Sequence, residues 1–296
     1  MKAIRENRVQ GVDGVPIWYR AVGDGPAIVC CNGVGVSTCF WHYLEKAFSE
    51  THTVVTWDYR GHGKSGAPTN FEDWSMEMNV RDLVAVMDDA GIDQAFLTGH
   101  SMGCQVILEA WRHIPERIVG LAPMLGAAGF PVKTFFDTEL SEYAFHFGYF
   151  MSRRYTGLAQ KVVKLVGKNP MNLSYNVARW IVIDPMLASL DDFRPYFEHY
   201  GSLDVRVFFA MAKAMADHSA LDLLDGITVP VLVIGGECDV FTPYHLTEQM
   251  VGAIPEAELL RIKRGSHAAL IEQPDLINLR LEKFFRERIS EWNRAG

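Results

Sequence analysis

Hydrophobic and polar positions along this chain change their period in a regular way, and each change marks an element. From Val9 to Val22 apolar residues alternate loosely around Gly11-Val12-Asp13-Gly14, the pattern of a β-hairpin, and Gly23-Asp24-Gly25-Pro26 closes its second arm. Ala27 to Cys31 and His52 to Trp57 are short continuous apolar runs. Strands covered on both faces read this way, because neither set of alternate side chains meets water. Phe40 to Phe48, between them, predicts a helix. Val80, Leu83, Val84 and Met87 fall at i, i+3, i+4 and i+7 with charged residues between, an amphipathic helix that Gly91 stops. Strand character returns at Ala95 to Thr98, helical spacing at Gln105 to Trp111, and strand again at Ile118 to Met124.

From about Pro131 to Leu221 strand-like runs nearly vanish and aromatic residues crowd in, among them Phe135, Phe136, Phe145, Phe147, Trp180, Phe208 and Phe209. Leu158, Val162, Leu165 and Val166 have helical spacing, and Met211 and Met215 follow. This stretch reads as a mostly helical insertion. Its aromatics are either its own core or the lining of an apolar pocket. After Gly226 the alternation resumes with a strand at Val229 to Ile234, a helix at His245 to Val251 and a strand at Glu258 to Ile262. Ile277, Leu281, Phe284 and Phe285 mark a last amphipathic helix. Strands alternating with helices predict a parallel sheet covered on both faces. In such a sheet ligands sit beyond the carboxyl ends of the strands. Residues 1–130 and 222–296 are expected to form one core domain, with 131–221 as a helical cap.

One junction carries chemistry. Gly99-His100-Ser101-Met102-Gly103 joins a strand to a helix, the setting of a nucleophile elbow. Small neighbours let a serine sit in a strained conformation at the tip of such a turn. The backbone N–H of Met102 then lies at the positive end of the helix dipole, where it can meet an oxyanion. An ordinary turn with Ser101 as a helix N-cap has the same local pattern. A serine hydroxyl needs a base, and the base needs an orienting carboxylate. Asp239, after a buried strand and a Gly-Gly turn, and His267, in the loop past the next strand, would open on the same sheet edge as Ser101; Glu237 competes with Asp239. His100 is expected to turn away from the tip.

Composition narrows the class. The chain is 49% hydrophobic and 22% charged, which reads as soluble and globular. A formal net charge of −8 argues against a nucleic-acid surface. Five cysteines without C-x-x-C spacing suit a reducing compartment. Met1 to Gln10 has no apolar stretch of a signal peptide. The weakly polar run from Ile118 to Val132 is shorter than the roughly 20 residues of a membrane span. A cytoplasmic protein with no nucleic-acid or membrane partner is expected. No His/Cys/Asp cluster has metal-ligand spacing, the glycine loops lack the phosphate-binding patterns, and neither metal nor cofactor is expected.

Four stretches together resemble the α/β-hydrolase superfamily, in its cap-bearing serine branch with esterases and C–C-bond hydrolases. They are Gly99 to Gly103, Asp58-Tyr59-Arg60-Gly61-His62-Gly63-Lys64-Ser65, Gly236 to Pro243, and Gly265 to Pro274. The order serine, acid, histidine is the one that fold uses. The resemblance implies a mostly parallel central sheet flanked by helices, with the cap inserted after the strand that follows the elbow. It implies that Ser101 attacks, His267 is the general base, and Asp239 orients it, favoured over Glu237 by the Asp-x-x-x-Pro spacing to Pro243. The oxyanion hole would be the N–H groups of Met102 and Val34, although Asn32-Gly33 stands where the superfamily usually has His-Gly. Loop residues around His62 would be scaffold. The implied activity is cleavage of an ester-like bond in a small, largely apolar substrate through an acyl-enzyme, with Phe136, Phe145 and Phe147 in the binding pocket. A C–C hydrolase or lyase holding its substrate through Arg153, Arg154 or Arg179, and a ligand receptor that keeps the triad, are the alternatives.

Overall fold

A computed structural model of the chain describes residues 3–71, 74–138, 140–168, 183–184, 186–187 and 190–289. Its strands are β1 (Ile4–Gln10), β2 (Pro16–Val22), β3 (Ala27–Cys31), β4 (Thr53–Trp57), β5 (Ala95–His100), β6 (Ile118–Met124), β7 (Leu232–Gly236) and β8 (Glu258–Ile262). They form one sheet in the order β1-β2-β4-β3-β5-β6-β7-β8. The first hairpin is antiparallel and β2 joins β4 antiparallel; every other pairing is parallel.

The apolar runs serve two cores at once. In β3, Val29 and Cys31 belong to a layer shared with α2 (Met76–Asp89) and α3 (Met102–His113). Ile28 and Cys30 face a second layer with α1 (His42–Phe48) and α10 (Pro274–Phe284). Each such side chain, fully removed from water, contributes about 1.5–3 kcal/mol. A buried ion pair ties the hairpin turn to this frame. The Arg60 guanidinium donates to both Asp82 oxygens at 2.7 and 2.8 Å, and the Val12 N–H donates to Asp82 Oδ1 at 2.8 Å.

Three expected elements differ at their starts. The hairpin read from Val9 has its first strand at Ile4–Gln10. The Phe40–Phe48 helix begins as a 3-10 turn over Thr38–Trp41 before α1. Regular pairing of β7 begins only at Leu232, because Pro230 has no N–H to give a ladder. Val231 makes an isolated parallel bridge to Leu121.

Between β6 and β7 the described residues form short 3-10 turns and then α4 (Leu140–Arg154), α5 (Thr156–Lys168), α6 (Leu190–Ser202) and α7 (Val205–Asp217). Arg179, Trp180 and Ile181 lie outside the described residues. The segment leaves and rejoins the sheet at one place, where Gly129 and Ser219 pair antiparallel and the Ala220 N–H donates to Ala128 O at 2.8 Å. Helix α3 holds this joint from below. Gln105 Nε2 donates to Met215 O and His218 O, and Glu109 takes His218 Nε2 at 3.0 Å. Among the described residues no helix is long and apolar enough to cross a membrane. After β7 come α8 (Tyr244–Ala253) and, past β8, the short α9 (Ala269–Glu272).

Candidate active site

Strands β3 and β5 are neighbours, but the chain leaves β3 for β4 on one flank and β5 for β6 on the other. Loops after two such strands diverge and open a crevice at their carboxyl ends. Ser101 stands on one lip and the Asn32–Val36 loop on the other. Ser101 has φ 56° and ψ −118°, a left-handed conformation that costs a non-glycine residue about 1–3 kcal/mol. The surroundings hold it there: its N–H donates to Met124 O at 3.0 Å, and a Cβ at Gly103 would meet Cys31 O at 2.1 Å. Ser101 occupies the N-cap position of α3, yet its hydroxyl makes no capping bond. Met102 opens the helix, and the first N–H groups of a helix have no intrahelical acceptor.

The hydroxyl meets His267 instead, with Nε2 at 3.0 Å from Oγ. The other ring nitrogen, Nδ1, lies 2.9 and 3.1 Å from the Asp239 oxygens. A carboxylate only accepts, so Nδ1 carries the proton and Nε2 offers its lone pair to the serine. Asp239 is fixed in turn by the N–H groups of Phe241 and Thr242, both 2.9 Å from Oδ1, and by the Thr242 hydroxyl at 2.8 Å from Oδ2. Burial raises its pKa. The His267 imidazole and the Thr242 donors outweigh burial and hold the carboxyl below its usual value. Glu237 turns outward to Arg261 at 2.6 Å. The three residues picked from the sequence are thus joined in one hydrogen-bonded line that can draw a proton off Oγ.

His100 was expected to turn away, but its ring lies against His267, with centroids 5.0 Å apart, and Phe241 closes the other contact at 5.1 Å. Its Nε2 donates to the His267 carbonyl at 2.9 Å. Burial, and then repulsion from His267, press its pKa down to about 3, so the ring is neutral and Nδ1 is unprotonated. A Cβ at Gly33 would stand 3.2 Å from that Nδ1 and 3.1 Å from Ser101 Cβ, which puts the loop directly against the serine. The position of a histidine next to the serine was the only trace of this role in the sequence.

Asn32 holds the loop in place of the usual histidine. Its side chain is wholly buried; Nδ2 donates to Trp57 O and Oδ1 accepts from Trp41 Nε1, both at 2.7 Å. The Tyr59 hydroxyl donates to Asn32 O at 2.9 Å. Further along, Gly35 N–H donates to His62 Nε2 at 3.3 Å, and His62 Nδ1 donates to Arg60 O at 3.1 Å. Burial, opposed by that carbonyl, keeps the His62 pKa down at about 3, so its acceptor nitrogen stays free of a proton. His62 is therefore more than loop scaffold: it grips the glycine after Val34.

Ser101, His267 and Val34 open into a cavity of about 330 Å³. Phe145, Phe193, Tyr196, Phe208 and Met215, all from residues 131–221, line it together with Phe40 and Phe241. Among the described residues, histidine is the only titratable basic side chain on its wall. Of the three phenylalanines expected in the pocket, Phe145 lines it. Phe136 is 51% exposed and stacks edge-on against Phe241, and Phe147 is 66% exposed. Two residues apart on α4, Phe145 and Phe147 point about 200° away from each other, so one helix cannot turn both inward. Phe135 takes the place expected for Phe136. A wider hollow of about 1110 Å³ lies at the amino ends of β3, β5 and β6 and contains none of these groups.

A family model described as alpha/beta hydrolase fold matches residues 26–274. A protein of Azorhizobium caulinodans, provisionally named carbamate hydrolase RutD, is 25% identical over 92% of this chain and 95% of its own. Among solved structures, the enol-lactonase from Burkholderia xenovorans LB400 superposes with a TM-score of 0.77 at 23% identity, over 93% of this chain and 98% of that one. The esterase EaEST from Exiguobacterium antarcticum gives 0.76 at 19% identity, over 96% and 100%. These two structural likenesses speak for the fold.

Proposed function

The chain belongs to the alpha/beta hydrolase fold family, and on that footing we propose that it is a serine hydrolase acting on a small, largely apolar ester. The observation that carries this reading is the line Asp239–His267–Ser101, which ends at a hydroxyl opening into an aromatic cavity. In the reaction, Ser101 Oγ bonds to the substrate carbonyl carbon while its proton passes to His267 Nε2. The tetrahedral oxyanion is met by the N–H groups of Met102 and Val34. Its collapse breaks the carbon–oxygen bond to the alcohol, which leaves with the proton from Nε2. Water, deprotonated by the same nitrogen, then attacks the acyl-enzyme, and the acid departs as Ser101 regains its proton. The ionised Asp239 stabilises the imidazolium in both halves.

Residues 131–221 act as the cap, since their aromatic side chains make most of the cavity wall. Among the described residues the wall carries no Lys, Arg, Asp or Glu, and such an apolar wall disfavours a charged substrate. It also weighs against a C–C hydrolase that would grip a carboxylate through Arg153 or Arg154, because both are exposed and neither lines the cavity; Arg179, the third arginine of that reading, lies outside the described residues. The five free cysteines support a reducing, cytoplasmic setting. The test is steady-state hydrolysis of p-nitrophenyl esters of increasing acyl length, with Ser101→Ala in parallel. Turnover that peaks at one short or medium chain and drops by about 10⁴-fold or more in the variant is expected. A folded Ser101→Ala protein with undiminished turnover refutes the proposal.

A further inference from the structure

The outer face of α4 and α5 is apolar and exposed to a degree found nowhere else among the described residues. On α4, Leu140, Tyr143, Phe147 and Phe150 are each 60–73% exposed and follow one another at spacings of 3, 4 and 3. On α5, Leu158, Val162 and Leu165 are 53–66% exposed at spacings of 4 and 3. Such spacing puts each set on one helix face. The inner faces are committed: Phe145 lines the cavity, Ser152 is buried, and Gln160 bonds Leu203 O and the Val205 N–H. Both helices pack on α7 and on each other, so the two apolar stripes look outward together. A contiguous apolar face of this kind marks an interaction site.

Charge says what kind. The whole chain carries −8, yet from Tyr143 to Lys168 there are five cations, Arg153, Arg154, Lys161, Lys164 and Lys168, and no acid. Lys161 and Lys164 are exposed and lie beside the Leu158–Val162–Leu165 stripe on the helical wheel. Acids stand at the edges of this patch. On α6, which packs against α5, Asp191 pairs with Arg194 and Glu198 lies near the same arginine. Glu142, at the start of α4, faces Lys133 and His146, and Asp204, before α7, is paired with Arg206 while also sensing Lys164. An apolar stripe flanked by lysines is the composition that binds the surface of an anionic bilayer.

We propose that the α4–α5 face docks on anionic lipid, seating the protein in the interface with the cavity just behind the docked surface. A second copy fits less well, since a two-fold contact through this face would bring the same lysines together. This departs from the expectation of no membrane partner, which rested on the absence of a span-length apolar run and did not weigh docking on a bilayer surface. It does not depend on the chemistry at Ser101.

The test is co-sedimentation of the full chain with vesicles of phosphatidylglycerol and phosphatidylcholine, or of phosphatidylcholine alone, at low and high salt. Binding to the anionic vesicles that weakens with salt is expected. Lys161→Gln with Lys164→Gln should lower the partition coefficient roughly 25-fold, about fivefold per cation. Leu158→Ser with Phe150→Ser should lower it by tenfold or more and leave the salt dependence in place. All four positions are exposed, and hydrolysis of a water-soluble ester reports that the variants are folded. Absence of vesicle binding overturns the proposal, as does binding indifferent to lipid charge and to both variants. A concentration-dependent dimer that Leu158→Ser dissolves, without vesicle binding, assigns the face to a second copy instead.

Discussion

Asn32→Ala separates two tasks, one that the structure shows for this side chain and one that the proposed function places on it. The substitution removes both hydrogen bonds made by a wholly buried amide, to Trp57 O and from Trp41 Nε1. Both partners stay buried, and an orphaned buried donor or acceptor costs about 1–3 kcal/mol. The fold should therefore weaken by about 2–6 kcal/mol, and Tm by roughly 5–15 °C. Against a typical folding stability of about 5–15 kcal/mol, a loss near the lower end of that range leaves the variant folded at 25 °C, which the melt reports. The functional effect is separate. On the proposed function Val34 supplies one of the two oxyanion donors, and loss of the anchor should take that N–H out of place. Loss of one such donor costs about 10²–10³ in turnover.

The assay is ester turnover on the folded variant at 25 °C, beside a thermal melt. Because the oxyanion exists only after attack, kcat should fall by about 10²–10³ while KM moves by less than about threefold. Asn32→Asp keeps an acceptor for Trp41 but sets an oxygen against Trp57 O, so it should share most of both losses. Tyr59→Phe removes only the hydroxyl bonded to Asn32 O and should cost far less turnover. A variant with a lowered Tm but kcat within about twofold of the parent refutes the reasoning. It would mean that the Gly35–His62 bond alone fixes the loop.

Two further outcomes follow from the cavity and from the joint under α3. Phe208→Ala removes a ring from the cavity wall, so kcat/KM for the next longer acyl chains should rise about tenfold relative to the parent's best substrate, read from the same ester series. Glu109 is held down at about 2: burial raises its pKa, but His218, Arg112 and His113 together outweigh that. A depressed carboxyl contributes stability that is fully present above its unfolded pKa and is lost as pH falls through the folded one. Glu109→Gln should therefore lose about 3 kcal/mol at pH 6, with the gap to the parent closing between pH about 4.5 and 2, measured by urea unfolding.

The strands were legible because a parallel sheet buries both faces, and Ala27–Cys31 and Ile118–Met124 are found with the bounds that their apolar runs predict. Ser101, Asp239 and His267 were legible because each ends a strand, and a parallel sheet collects such ends on one edge. The aromatics of residues 131–221 were not. Whether Phe136 or Phe135, Phe147 or Phe145, turns inward depends on helix rotation and on a left-handed φ of 58° at Phe136, neither of which spacing records. The anchoring of Asn32 was also hidden. It needs Trp41, Trp57 and Tyr59, from three different elements, to converge on one amide, and no motif encodes that convergence.

The cap and the proton line are nearly independent, and the place where they touch is specific. Ser101, His267 and Asp239 are fixed by bonds to one another and to the ends of the sheet, through Met124 O, Thr242 and His100. No described residue of 131–221 enters that set. The cap reaches the Asn32–Val36 loop instead: a Cβ at Gly35 would lie 3.0 Å from the Phe208 ring, and His199 on α6 stacks on His62 with centroids 5.8 Å apart. His62 is the residue that holds the Gly35 N–H. On the proposed function, a substrate that shifts α6 or α7 should therefore move the Val34 donor before it disturbs the serine or its base. Selectivity imposed by the cap should accordingly register in kcat, through the oxyanion donor, as well as in KM, through the fit of the acyl chain.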